Sequence, residues 1–465
     1  MLKEKITVFI LLFLGVIVFF TFNQEYFFYN IIALLLCIYA LNIINYKILS
    51  PSFIFIIMHI IQYPIAAFIL GSLESKSLAV TMDEYDLTPF AMKFLILAMC
   101  GLISGIYFFN LLLRKKNTTK IESLIPTHSI IIITLLICYI FYIFFLIITK
   151  TYFHINAGEF NFDNANTFGF VGYLSYLGYV GLALQIVNYS ISKSNKNLYI
   201  LLLYFFIVIV FMVPSGSRRF ILLPILLSIV IYLAINKISY KRIIYFFSFT
   251  ILLLFAIPIL DFIRNDMSNH SNFLVKFNSI TAITKILDGK DFYTIIALLA
   301  RRLTDYISVG FIYQYIVIEN HNFIGFGDLL AAPSFLIPTL IRPDLGLSFI
   351  YDAIIMEKIG FRLDIGGSSP MMLIGDLFFR GGYLSIFIGY FIIGFIFELI
   401  SQRIISKPKI FGIIIFTLMF DSLSMMHSMT ILKVFVLLTK QLIIFYLIAI
   451  IIIKINNKLC KTGVF

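Results

Sequence analysis

From Ser129 to Thr149 the chain reads SIIIITLLICYIFYIFFLIIT, a run without one charged side chain. A hydrocarbon core about 30 Å thick is crossed by around 20 such residues, because an α-helix rises about 1.5 Å per residue. The spacing of apolar residues therefore predicts a membrane-spanning helix here. About twelve runs of this kind emerge: Ile6 to Phe22, Phe27 to Tyr46, Phe53 to Leu70, Phe94 to Leu113, Ser129 to Thr149, Phe168 to Asn188, Tyr199 to Val213, Phe220 to Ile235, Ile243 to Leu260, Tyr383 to Ile400, Ile410 to Met425 and Ile431 to Ile453. The seventh, eighth and eleventh are short for a full crossing. The first follows Lys3 and Lys5 without a small-residue cleavage site, and reads as an uncleaved span.

Composition carries the same message. Of 465 residues, 61% are hydrophobic and 12% charged, against roughly 45–50% and about 25% in soluble domains. A soluble globular protein is excluded. The fold class expected is an all-α polytopic membrane protein of about 12 transmembrane helices with one large late outer loop. Its parts are an N-terminal bundle over 1–260 with about nine spans, the loop over 261–382, and about three further spans over 383–465. Within the loop, Phe292 to Val317 reads as helical. Leu329 to Ile341, broken by Pro333 and Pro338, is too short to cross and suits an interfacial or re-entrant segment.

The net charge of +12 comes from short basic clusters between apolar runs, not from a continuous face, so no nucleic acid partner is expected. Lys193 and Lys196, Lys237-Lys241-Arg242, Arg403-Lys407-Lys409 and Lys454-Lys458-Lys461 fall on alternate connections. Basic residues favour the cytoplasmic side, which places both termini there. The four cysteines, Cys37, Cys100, Cys138 and Cys460, have no paired spacing for a metal or disulfide framework.

Ionisable groups near lipid are costly, so those retained are functional candidates. Arg218 and Arg219 close the turn Pro214-Ser215-Gly216-Ser217, and either snorkel to headgroups or bind an anion. Arg302, next to Arg301 and four residues from Tyr306, lacks the helical Asp305 partner that Arg301 has. Asp376 and Arg380 are four apart, and either satisfy each other or work on a ligand. Gly375, Gly382 and Gly389 recur every seven residues, a stripe that lets a helix or ligand approach closely. Asp421, Ser424 and Ser428 share a helix face beside His427, which is either structural or a base. Lys440 sits near the middle of the last span and needs a partner.

Several chemistries lack their residue sets. There is no Gly-x-x-x-x-Gly-Lys phosphate loop, no His-Glu-x-x-His, no Cys-x-x-Cys and no Gly-x-Ser-x-Gly. Asp83-Glu84-Tyr85-Asp86 is the only short acidic match to a metal-dependent transferase, and an ordinary acidic loop explains it as well. No metal and no cofactor are expected.

In its plan of many spans with one large late loop, the chain resembles the Wzy-type O-antigen and capsule repeat-unit polymerases. The resemblance extends to Gly216-Ser217-Arg218-Arg219 and to Gly366 through Gly394, GGSSPMMLIGDLFFRGGYLSIFIGYFIIG. Asp376 stands where that family usually has Glu, and Phe378 where Tyr is common. No outer arginine begins an Arg-x10-Gly repeat. The resemblance implies a helical bundle like the GT-C glycosyltransferases in the bacterial inner membrane. The activity implied is metal-independent transfer of a glycan from one undecaprenyl-diphosphate carrier onto another lipid-linked repeat unit, outside the cytoplasmic membrane. It implies a chain-length regulator as a possible partner besides the lipid bilayer. A lipid diphosphate is already a good leaving group, so the chain has mainly to stabilise its growing charge and orient the acceptor hydroxyl. Arginine suits the first task, since its planar fork grips phosphate through two hydrogen bonds and stays charged. On that footing Arg218, Arg219 and Arg302 bind diphosphate, with Arg342, Arg362 and Arg380 behind them. Asp376 or His427 is the base, and Tyr306, Tyr313 and Tyr315 stack on sugars or anchor the fold. An O-antigen ligase and a flippase for the same lipid-linked unit are the rival functions; the sequence lacks the paired halves usual in transporters.

Overall fold

Long uncharged runs rich in Leu, Ile and Phe can satisfy their backbone in lipid only by coiling, and every regular element among the described residues is helical, without a strand. The computed structural model describes residues 26–44, 48–67, 88–112, 126–148, 162–209, 218–236, 307–327, 329, 372–405 and 409–461. In chain order the helices are α1 (Tyr26–Ile43), α2 (Pro51–Ile60, continued by a π-helical turn Ile61–Ile65), α3 (Thr88–Leu112), α4 (Ser129–Ile148), α5 (Phe162–Ser192) and α6 (Asn195–Ile209). They continue with α7 (Arg218–Ile235), α8 (Ile307–Tyr313, with a π-helical turn Gln314–Ile318), α9 (Leu373–Ile405), α10 (Lys409–Met425) and α11 (Ile431–Lys461).

Five helical stretches among the described residues are long and apolar enough to cross a membrane: Phe90–Leu112, Ser129–Ile148, Leu373–Gln402, Ile410–Ser428 and Ile431–Cys460. Shorter apolar helices cover Phe28–Ile43, Pro51–Ile65, Asn195–Ile209 and Leu222–Ile235. This is the make-up of a multi-pass helical membrane protein. The expected first and ninth spans, Ile6 to Phe22 and Ile243 to Leu260, lie outside the described residues, as does most of the expected loop.

Hydrogen bonds near their ends show which way several of the helices run. Ser50, ahead of α2, bonds to Ser401 near the end of α9 at 2.8 Å, and Gln402 reaches Asn110 near the end of α3. The start of α4 is held by Asn188 at the end of α5, which accepts from the Thr127 amide at 2.8 Å and donates to its carbonyl at 2.7 Å. Asn456, late in α11, accepts from the His128 amide at 2.9 Å. Asn236, just after α7, reaches Ser190. These contacts define one end of the bundle, here the lower end. The start of α3, the start of α9, the end of α10 and the start of α11 meet at the opposite, upper end.

The tightest helix pair is α3 with α9, which run parallel. A Cβ added to Gly101 or Gly105 would collide with the carbonyl oxygens of Phe387 and Phe391, and one added to Gly394 with that of Leu102. Gly101 and Gly105 form a Gly-x-x-x-Gly pair, which in lipid lets two backbones approach where no hydrophobic force drives helices together. On α5, Gly178 and Gly181 make room for the rings of Tyr139 and Tyr204. Those hydroxyls donate to the carbonyls of Val208 and Ile132, each at 3.2 Å, and so bind α4 to α6. Large apolar side chains on the outer faces of α4 and α11, such as Phe141, Phe144, Ile443 and Ile451, stay exposed, as a lipid-facing surface requires.

Candidate functional site at the upper end

The helix expected from Tyr383 begins ten residues earlier, and it is not straight. Gly381 (φ −164°, ψ 27°) and Gly382 (φ 69°, ψ −154°) interrupt α9. The Gly382 conformation is closed to residues with a Cβ. The break leaves a short arm, 373–380, and a long arm, 383–405. In a continuous helix residues 377 and 389 would lie about 18 Å apart. Here the Leu377 side chain comes within 2.6 Å of where a Gly389 Cβ would stand, so the short arm folds back over the long one. Ser385 holds the bend, its hydroxyl facing the carbonyls of Leu377 and Gly382. The seven-residue glycine stripe thus does not line one straight helix. Gly375 receives Ile312 of α8, Gly382 the ring of Phe323, and Gly389 Leu377.

The short arm ends buried, where a helix leaves unsatisfied carbonyls. The backbone of the segment after α8 supplies the donors: Ile324 N–H to Phe379 O at 3.2 Å, and Gly325 N–H to Arg380 O at 3.1 Å. Within the arm, Arg380 Nε lies 3.0 Å from both carboxylate oxygens of Asp376, with both side chains 0% exposed. Arg380 Nη1 also donates to Gly325 O at 3.3 Å, and the guanidinium carbon stands 6.0 Å from the Phe326 ring centre. Asp376 Oδ2 accepts from the Ile431 amide at 2.7 Å. The carboxylate therefore caps α11 at its positive dipole end. Asp376 and Arg380 thus bond to each other, and each also bonds to the backbone of a neighbouring segment.

His427 sits in a short 3-10 turn after α10, 1% exposed, and its Nδ1 has no hydrogen-bond partner among the described residues. It faces His59 of α2 edge to face, with ring centres 6.1 Å apart. His59 Nδ1 is 2.7 Å from Phe55 O, so that nitrogen carries the proton; in the neutral ring Nε2 then accepts from the Tyr390 hydroxyl at 2.8 Å. Tyr63 stacks on the other side of His59. Asp421 lies deeper and accepts from the Tyr176 hydroxyl at 2.9 Å, while Ser424 and Ser428 bond to carbonyls in their own helical turns. That expected polar corner is thus divided between helix-internal bonds and a link to α5.

Arg218 and Arg219 form the first turn of α7. Because α7 ends beside Ser190 at the lower end, its start lies at the upper end, with Asp376, Arg380 and His427. Arg302, Tyr306, Arg342 and Arg362 lie outside the described residues, and so do the side chains of Arg218, Arg219 and Lys440. Tyr313 stacks on Phe90 at 4.0 Å and packs with Phe94 and Phe378, so it anchors α8 to α3 and α9. Tyr315 stacks on His321 at 3.8 Å.

Sequence reasoning passed over His59, Lys93 and Gly101-x-x-x-Gly105. His59 is the one imidazole in an otherwise uncharged run, which was its signal. Lys93 Nζ stands 5.1 Å from the centre of the Tyr29 ring at the upper end. Among the described residues no three His, Cys, Asp or Glu side chains gather as metal ligands. No protein-family model matches the chain, and no match was found among curated proteins or solved structures.

Proposed function

We propose that the chain is a membrane glycosyltransferase that polymerises undecaprenyl-diphosphate-linked repeat units into O-antigen or capsular polysaccharide. The observation that supports it is the gathering at one end of an apolar bundle of groups far apart in sequence: Arg218 and Arg219 opening α7, the folded-back arm 373–380, and His427. In this reading the bundle has about twelve spans and lies in the bacterial cytoplasmic membrane with both termini inside. The lower end, with Lys193, Lys196, Lys454 and Lys458, faces the cytoplasm. The upper end faces outward.

The arginines do the electrostatic work. Arg218, Arg219 and Arg302, backed by Arg342 and Arg362, hold the donor diphosphate and stabilise the charge that grows on it as the glycosidic bond to the carrier breaks. The acceptor hydroxyl takes over the sugar, its proton leaving to a base; His427, with an unengaged Nδ1, has the capacity. No cofactor enters. A regulator of chain length is a fitting partner.

A second reading has one observation in its favour. A helix broken within an apolar stretch long enough to span, as α9 is at Gly381–Gly382, is a feature of transporters, so a flippase for the same lipid-linked unit is the rival. Arg218→Lys and Arg219→Lys, introduced singly into the full chain and assayed by glycan ladders with protein level verified, separate the two. Polymer lost with a single capped repeat retained is the expected result, since a point charge cannot replace a two-pronged grip. Unchanged ladders would remove the arginine assignment, and loss of even the first repeat would favour the flippase.

A further inference from the structure

We infer that Asp376 and Arg380 are positioning residues: one buried ion pair that locks three pieces of the upper end together and does not itself touch substrate. The three pieces are the short arm 373–380, the segment 323–326 that arrives from α8, and the start of α11. Each is tied to the pair by a separate bond. Arg380 reaches Gly325 O at 3.3 Å, Asp376 reaches the Ile431 amide at 2.7 Å, and the arm carries both side chains. Backbone bonds from Ile324 and Gly325 to Phe379 and Arg380 close the same knot from outside.

Burial combined with use of their polar atoms inside the fold argues against substrate contact; His427 is as deeply buried, but its Nδ1 is left over. Both side chains are 0% exposed, and Arg380 is among the largest fully buried side chains of the chain. Nε is shared between both carboxylate oxygens and Nη1 is given to Gly325 O, so two of the three guanidinium nitrogens are spent inside the fold. Asp376 has both carboxylate oxygens engaged, by the guanidinium and, at Oδ2, by a helix-start amide as well. A buried pair is weak as a source of stability but strong as a determinant of geometry, since removing one partner strands a charge. The segment after α8 and the starts of α9 and α11 are thereby pinned together at the end that bears Arg218, Arg219 and His427.

The test is a double-mutant cycle on the full chain in lipid nanodiscs, with Asp376→Asn, Arg380→Met and both together. Asn keeps an oxygen for the Ile431 amide, and Met keeps much of the arginine's volume. Hydrogen exchange at the amides of Ile324, Gly325 and Ile431 reports the knot. Exchange about a hundredfold faster in either single variant, and within about tenfold of wild type in the double, is the expected pattern. Glycan ladders follow the same pattern, lost in the singles and largely regained in the double. Two results overturn the inference: effects of the singles that simply multiply in the double, or a double variant that regains protection and makes no polymer. The second would make one of the pair a substrate contact. The activity arm rests on the polymerase reading, whereas the exchange arm does not. Wild-type protein that makes no polymer in a competent host would sink that reading, and the exchange cycle would still decide the clamp.

Discussion

The pairing of α3 with α9 and the knot around Asp376 lie on the same helix, α9, yet they are held by opposite means. Along the long arm of α9, contact is made without any side chain on the glycine side, backbone against backbone at Gly101, Gly105 and Gly394. At the short arm, contact is made through full charges and their hydrogen bonds. Lipid explains both. Apolar faces gain little by leaving hydrocarbon for one another, so helices there must either fit closely or satisfy polar groups that nothing else will. The first solution tolerates sliding along smooth surfaces, while the second fixes one register. The upper end, where chain segments from distant parts of the sequence meet, uses the second.

Substitutions can break this contrast in order of severity. Arg380→Met alone should cost about 3–5 kcal/mol by stranding the Asp376 carboxylate, read as a large fall in the thermal unfolding midpoint of the purified protein in detergent. A value indistinguishable from a surface substitution would mean that the pair is not the fastener proposed. Gly105→Val should come next, at about 3 kcal/mol, because the Phe391 carbonyl that its side chain would strike is backbone and cannot rotate away. The same measurement serves, and an undiminished midpoint would show that α3 and α9 can part without loss. Gly382→Ala should cost about 1–3 kcal/mol through the backbone conformation alone, with the Phe323 ring 3.2 Å from the new Cβ adding to it. If the loss instead matched Gly381→Ala, whose φ any residue adopts, the strain argument would fail. Ser401→Ala at the lower end should be mildest, about 1 kcal/mol for the lost bond to Ser50. A larger effect there would erase the distinction between a plain contact and the charged knot.

Much of this was legible in the residues. The apolar runs mark ten of the eleven helices among the described residues, and their bounds mostly fall within a few residues of those expected, because length and apolarity are local properties. The i, i+4 spacing of Asp376 and Arg380 announced a possible pair. What it did not announce was the third partner, the Ile431 amide, which lies 55 residues further on. The span was expected from Tyr383, with Asp376 and Arg380 on the helix leading into it; the residues did not show the break at Gly381–Gly382 that separates the two arms. His59 was hidden by the apolarity of its neighbours, although it meets His427 and Tyr390 from elements more than 300 residues away.

From its order of residues alone, the chain determines that it is helical and suited to lipid, since hydrophobicity and helix period are written residue by residue. The tertiary structure decides which of the rare charges face each other and which end of the bundle they share. Those depend on the folding back of one short arm at two glycines and on helix starts brought together from distant segments, and no local pattern encodes a distance across the bundle.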